Sequence, residues 1–294
     1  MSELKRIGWI GAGKMGLPIC LRYKQAGHQV TALARTVETQ EKLNAKGLTA
    51  VKTIADVAQN SDIVFSSLSD DIALISVAAE LAISMAKITT FIDISTVSPS
   101  VSAEVAQLLI AKRIVYLRAP VSGSTAMAEA GTLTAVVSGP KPSFDDLASV
   151  FAVFARRTFH VGEGEEARVM KLVLNSMVAA TSALLGEALA YGASGGLDNA
   201  TMLSVINQSA VASPLIGYKT DMILRSNYTA AATLNMLKKD LELLLAAAKT
   251  KQTLLPVNRL IKEIYTAAVD KGLGEMDFFV LVQEAENAAN AKRK

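Results

Sequence analysis

A chain of 294 residues has room for two domains, and its 51% hydrophobic and 19% charged residues support sizeable buried cores and exclude a disordered chain. Its 30 basic and 27 acidic residues leave a net charge of +3, too small and too evenly scattered for a nucleic-acid-binding surface. That mild positive bias suits anionic ligands and ordinary solvated surface equally. The single cysteine, Cys20, excludes an internal disulfide, fits a reducing compartment and falls in an apolar helical pattern where a buried thiol is expected.

In chain order, MSELKRIGWIG enters a strand almost at once and holds no apolar run of a secretion signal. No stretch is both uncharged and apolar for long enough to cross a bilayer, so a cytoplasmic protein without membrane contact is expected. Strands are predicted at 6–10, 29–34, 62–68, 89–94, 114–119, 132–138 and 158–161. Most are continuous apolar runs rather than alternating ones, as strands covered on both faces are. Helices at 15–26, 38–46 and 100–112 fall between them, and alternating β and α implies a Rossmann-type, doubly wound parallel sheet. After Gly162-Glu163-Gly164 the rhythm changes. Helices are predicted at 166–194, 199–209, 215–225, 232–251, 257–271 and 277–291, with Pro214 and Pro256 near helix starts. The division is thus an α/β domain over 1–163 and an all-helical domain over 164–294, joined by the long helix.

Gly11-Ala12-Gly13-Lys14-Met15-Gly16 is a G-x-G-x-x-G motif between a predicted strand and a predicted helix, the context in which it cradles a dinucleotide pyrophosphate. Gly11 permits the turn, Gly13 lets backbone approach the phosphates, and Gly16 lets helix pack on strand. The second strand ends on Arg35 and Thr36, a cation and a hydroxyl suited to a 2′-phosphate, where a cofactor without it favours a carboxylate. NADP is therefore expected, with NAD admissible. Leu68 and Ser69, and Thr96 beyond Asp93-Ile94-Ser95, sit at further strand ends where doubly wound sheets bind ligands. Ser98 before Pro99 reads as a helix cap.

Between Arg168 and Glu187 the only charge is Lys171, with Asn175 one turn on along the same face. A lysine in so apolar a helix opens into a cleft or finds partners, and desolvation suits an ammonium to proton transfer near neutral pH. In LKKDLELLLAAA, Lys238 pairs at i+4 with Glu242, whereas Lys239 points toward protein, with Asp240 either bracing it or simply solvated. Ser122-Gly123-Ser124 follows a strand as a small loop whose backbone N–H groups can nest a carboxylate. The two histidines, His28 and His160, sit in contexts that support no Ser-His-Asp triad, and no Cys/His/Asp cluster has metal-ligand spacing.

Together IGWIGAGKMG, IDISTVSP, APVSGSTAMAEAGTLTAVVSG, GEGEEARVMKLVLN, LKKDLELLLAAA and GLGEMDF resemble, over nearly the whole chain, the β-hydroxyacid dehydrogenase family. Its members include 3-hydroxyisobutyrate dehydrogenase and the tartronate and glyoxylate/succinic semialdehyde reductases, with 6-phosphogluconate dehydrogenase more distant. The resemblance implies hydride transfer between NADP(H) and a small 3-hydroxy acid or its semialdehyde. It implies Lys171 as acid/base, Asn175 on the substrate oxygen, and Ser122 and Gly123 on the substrate carboxylate. It also implies Lys239 near substrate and nicotinamide, and a homodimer or homotetramer built through the helical domain. The chain departs from the pattern at Arg118, where the family often has Asp, and at Ser124, where it often has a second Gly. Both border the acid-binding loop and bear on substrate identity more than on reaction type. The rival readings are an imine reductase of the same architecture, which usually lacks the lysine, and a catalytically idle cofactor-binding module.

Overall fold

The computed structural model describes residues 4–84 and 89–291, and the chain divides by its contacts into two compact units, residues 1–171 and 172–294. The division falls inside the helix Glu166–Ser194, which is continuous across it.

The first unit carries nine strands among the described residues: β1 (Arg6–Ile10), β2 (Gln29–Leu33), β3 (Thr49–Val51), β4 (Ile63–Ser66), β5 (Thr90–Asp93), β6 (Val115–Arg118), β7 (Val121–Ser122), β8 (Leu133–Ser138) and β9 (Ala155–Gly162). Six of them run in the order β3-β2-β1-β4-β5-β6, all parallel. This is the doubly wound order, with its switch point between β1 and β4. Helices bury both faces, which explains the continuous apolar strands: Ile7 and Trp9 join one core layer and Ile10 the other. Trp9 stacks on Phe65 with ring centroids 5.2 Å apart, and Tyr23 sends its hydroxyl to the Val150 carbonyl at 2.9 Å.

The sheet is mostly rather than wholly parallel, because β8 runs antiparallel to β6 and β7. Between β7 and β8 lie only residues 123–132, and a parallel return needs a crossover of about a dozen residues or more. Strands β3 and β7, three and two residues long, were too short to leave a pattern in the sequence.

In the second unit the helices Asn199–Gln208, Pro214–Leu224, Leu234–Thr250, Pro256–Ala268 and Val280–Ala291 pack with most of the long helix around Leu189, Leu203, Leu234, Tyr265 and Phe279. Pro214 and Pro256 each stand in a first turn, where the missing N–H costs nothing. The long helix is long and apolar enough to cross a membrane by length and composition alone, but it carries Glu166, Arg168, Lys171 and Glu187 and so is not an uncharged apolar stretch. Between Arg168 and Glu187 its only charge is Lys171. Ala179, Leu185 and Leu189 on it are nevertheless buried in its own unit's core.

Within that core Lys219 Nζ meets Asp277 Oδ2 at 2.5 Å, below the Phe278 ring centroid at 5.0 Å, and both side chains are buried. Asp277 also accepts from the Phe279 N–H at 3.1 Å, so one carboxylate fixes a lysine and the turn into the last helix. Replacing Asp277 with Ala strands a buried ammonium. It is expected to cost about 3–5 kcal/mol in denaturant unfolding, and Lys219→Met in the same chain is expected to recover most of it. A second expectation concerns alkali. Burial raises the phenols of Tyr23, Tyr116, Tyr228 and Tyr265, that of Tyr228 to about 12. The unfolded chain then releases phenolic protons near pH 10 while the folded one holds them, so stability is full below about pH 10 and falls as pH rises toward 12. A Tm flat across that interval would contradict this burial.

Candidate active site

The C-terminal ends of β2, β1, β4 and β5 lie side by side, and the loops leaving them carry Arg35-Thr36, the glycine motif, Leu68-Ser69 and Thr96. In sequence these residues are scattered from Gly11 to Thr96; the parallel sheet brings them to one edge.

Gly11 has φ +91, and a Cβ there would come within 2.1 Å of the Ser67 carbonyl oxygen, so the turn after β1 admits only glycine. A Cβ on Gly16 would stand 2.3 Å from the Gly11 carbonyl oxygen and 2.4 Å from Trp9 Nε1, so here helix and strand touch. At Gly13 nothing lies within 4 Å: the space beside its backbone is open. The helix Gly16–Gln25 then begins without a side-chain cap, whereas Thr36, Thr53, Asp70 and Ser98 each cap a neighbouring helix of this unit. Open backbone beside Gly13 and an uncapped N-terminus fit a dinucleotide pyrophosphate, whose oxygens accept from first-turn N–H groups. Lys14 is exposed at the loop tip, and Ala12 and Met15 pack partly against the core.

Arg35 and Thr36 are exposed. The Thr36 hydroxyl accepts from the Thr39 N–H at 3.1 Å and pairs with Thr39 Oγ1 at 2.9 Å, a capping role the sequence reading left out. The Leu68 N–H donates to Ser95 Oγ at 2.7 Å, and Ser69 Oγ to Asp70 Oδ2 at 2.6 Å. Ser98 caps the helix Pro99–Ile110, accepting from the Val101 N–H at 3.3 Å, as expected. Ser122 ends β7, Gly123 follows at φ +134, and Ser124 caps the helix Thr125–Ala130 through the Met127 N–H at 3.4 Å.

Sequence reasoning missed the polar cluster under this edge. Arg168, in the first turn of Glu166–Ser194, is almost wholly buried. Its Nη2 lies 2.5 Å from Asp93 Oδ2 and 2.7 Å from the Tyr116 hydroxyl, and its Nη1 donates to the Ser95 carbonyl at 2.7 Å. Asp93 Oδ1 in turn accepts from the Ser66 and Ser95 hydroxyls, each at 2.5 Å. Burial opposes the charge on Arg168, yet Tyr116 and Asp93 hold its pKa above the ordinary value; burial pushes the Tyr116 phenol up. The signal was a carboxylate closing an apolar strand and a cation three residues before Lys171. Arg118, flagged as a departure, ion-pairs with Glu165 and lies over the Tyr116 ring at 4.5 Å. Lys171 itself is half-buried at the end of this unit.

In the helical unit Asn175 Nδ2 donates to Asp240 Oδ2 at 2.6 Å, and Lys239 Nζ stands 3.3 Å from Asp240 Oδ1. One buried carboxylate thus holds both an amide and an ammonium that the sequence singled out separately. Lys238 pairs with Glu242 at 2.8 Å, as its spacing predicts, but its side chain is half-buried and no more exposed than that of Lys239. Among the described residues no group of His, Cys, Asp and Glu has the arrangement of a metal site.

Residues 6–162 match the family model of the NAD binding domain of 6-phosphogluconate dehydrogenase. Residues 165–284 match the model described as NAD-binding of NADP-dependent 3-hydroxyisobutyrate dehydrogenase. The chain is 31% identical over 287 residues to 2-(hydroxymethyl)glutarate dehydrogenase of Eubacterium barkeri, covering 96% of this chain and 95% of that one. It is 30% identical over 291 residues to the chloroplastic glyoxylate/succinic semialdehyde reductase 2 of Arabidopsis thaliana, covering 97% and 80%. Among solved structures, 3-hydroxyisobutyrate dehydrogenase of Mycobacterium tuberculosis with L-serine shares the fold, with a TM-score of 0.87 at 22% identity over 96% of this chain and 99% of that one. Two family models in tandem and relatives matched along 95% and 80% of their length place the chain in the β-hydroxyacid dehydrogenase family, as an NAD(P)-dependent hydroxyacid oxidoreductase.

Proposed function

We propose that the chain is a cytoplasmic, NADP-preferring enzyme that interconverts a small 3-hydroxy acid and its semialdehyde, with Lys171 as general acid and base. The main support is Lys171: half-buried, and one turn along a helix whose start Arg168 ties to the end of β5, the edge that carries the glycine loop. The names of the Eubacterium barkeri and Arabidopsis thaliana relatives suggest the substrate class, since both describe a dehydrogenase or reductase of a carboxylate-bearing molecule.

When bound, NADPH supplies the hydride to the aldehyde carbon. The ammonium of Lys171 gives its proton to the carbonyl oxygen as that oxygen becomes an alcohol, and takes it back in the oxidative direction. Asn175, oriented by Asp240, holds the same oxygen. The Ser122 hydroxyl and the Gly123 N–H bind the carboxylate, with Lys239 adding positive charge for the anionic substrate. Ser124, its oxygen engaged as a helix cap, fixes the shape of this loop. Arg35 and Thr36 take the 2′-phosphate. A second copy of the chain covers Met177, Leu184 and Tyr191, which recur every seven residues as exposed apolar side chains on the long helix. That face supports the reading of a homodimer, or a homotetramer of such pairs.

Steady-state NADPH oxidation against glyoxylate and the succinic, tartronate and methylmalonate semialdehydes tests the reaction. Lys171→Ala is expected to lower kcat at least about 100-fold with NADPH binding retained; an unimpaired mutant removes the lysine mechanism. Arg35→Ala is expected to raise KM for NADPH about tenfold or more while leaving NADH nearly unchanged, the loss of one charge-assisted contact. Equal effects on the two cofactors would remove Arg35 from the 2′-phosphate site.

A further inference from the structure

The cluster around Arg168 touches three parts of the proposed site without being one of them. Its Nη1 bonds the carbonyl of Ser95, the residue before Thr96. Through Asp93 it reaches Ser95 Oγ, which accepts from the Leu68 N–H. Along its own helix it precedes Lys171 by three residues, a rise of about 4.5 Å and a return to nearly the same side. One guanidinium therefore joins two cofactor-side loops to the helical turn that bears the lysine.

The rest of the first turn is held as well. Glu165 pairs with Arg118, and Ser138 Oγ accepts from the Ala167 N–H at 3.2 Å while donating to the Gly164 carbonyl at 2.7 Å. Those contacts fix where the helix begins. Arg168 adds its rotation about the axis, because the planar fork engages Asp93, Ser95 and Tyr116 in different directions. A helix rotated by a fraction of a turn would carry the Lys171 ammonium off the line to a carbonyl oxygen, and a misplacement of about 1 Å can cost about 100-fold in rate.

We propose that Arg168, with Asp93 as its anchor, is a positioning residue that sets Lys171 against the cofactor loops. It does not touch substrate. This rests on the reading of Lys171 as the acid/base.

The test uses the whole chain. In Arg168→Met with Asp93→Asn the buried charges leave together, which well-packed interiors tolerate, and the asparagine still offers an oxygen to Ser66 and Ser95. The double variant is expected to unfold cooperatively near the wild-type Tm and to bind NADPH, read by fluorescence titration, within threefold of wild type. Its kcat on the best semialdehyde is expected to fall about 10- to 100-fold. Arg168→Lys, which keeps the charge but not the fork, is expected to fall between. A folded double variant with kcat within threefold of wild type overturns the proposal, as does one in which NADPH affinity falls in step with kcat. If the double variant does not fold, Arg168→Lys decides by the same two readings. Wild type that binds NADPH yet turns over no semialdehyde acid overturns the proposed function and this inference together. An active wild type, an inactive Lys171→Ala and fully active Arg168 variants overturn this inference alone.

Discussion

Taking a guanidinium out of water costs several kcal/mol unless a carboxylate and well-aimed acceptors replace the solvent. Arg168 has both, and the surrounding segments are arranged to supply them. Asp93 closes β5 after Phe91 and Ile92; Tyr116, stacked on Phe91 at 5.5 Å, turns its hydroxyl to the same place. Because Asp93 ends β5 and Ser95 lies just beyond it, the helix that must present Arg168 to them has to start over the C-terminal edge of the sheet. That is the edge where the parallel order also puts the glycine loop. The segments that leave β4 and β5 and the lysine-bearing helix thus share one electrostatic anchor.

Much of this was legible in the residues. The glycine motif could be read because strand, turn and helix each impose their own pattern, and Gly11 and Gly16 prove to be positions where no Cβ fits. The helices of the second unit were legible because apolar periodicity runs unbroken over ten or more residues, with prolines marking two starts. What escaped was polar and long-range. Nothing in the spacing of Asp93, Tyr116 and Arg168 says that they meet, since the three lie on two strands and a helix. The pairing of Asn175 with Asp240 spans 65 positions and was invisible for the same reason. The capping roles of Thr36 and Ser124 were missed because a hydroxyl before a helix reads equally as ligand contact or cap.

Arg118 shows how a departure from a family pattern becomes intelligible once its neighbours are known. Read alone, an arginine beside the acid-binding loop suggests an altered substrate. In the fold its charge is answered by Glu165, at the threshold of the long helix, and its plane lies on Tyr116. The substitution belongs to the fastening of helix to sheet.

The helix Gly16–Gln25 begins with no side chain serving its first N–H groups, unlike the four capped helices around it. A dinucleotide that satisfies them binds the folded chain and not the unfolded one, so occupancy adds to stability by mass action. The lifetime of the protein in the cell thereby becomes tied to the size of the nicotinamide pool, and scarcity of the coenzyme would thin the enzyme's numbers as well as slow its turnover.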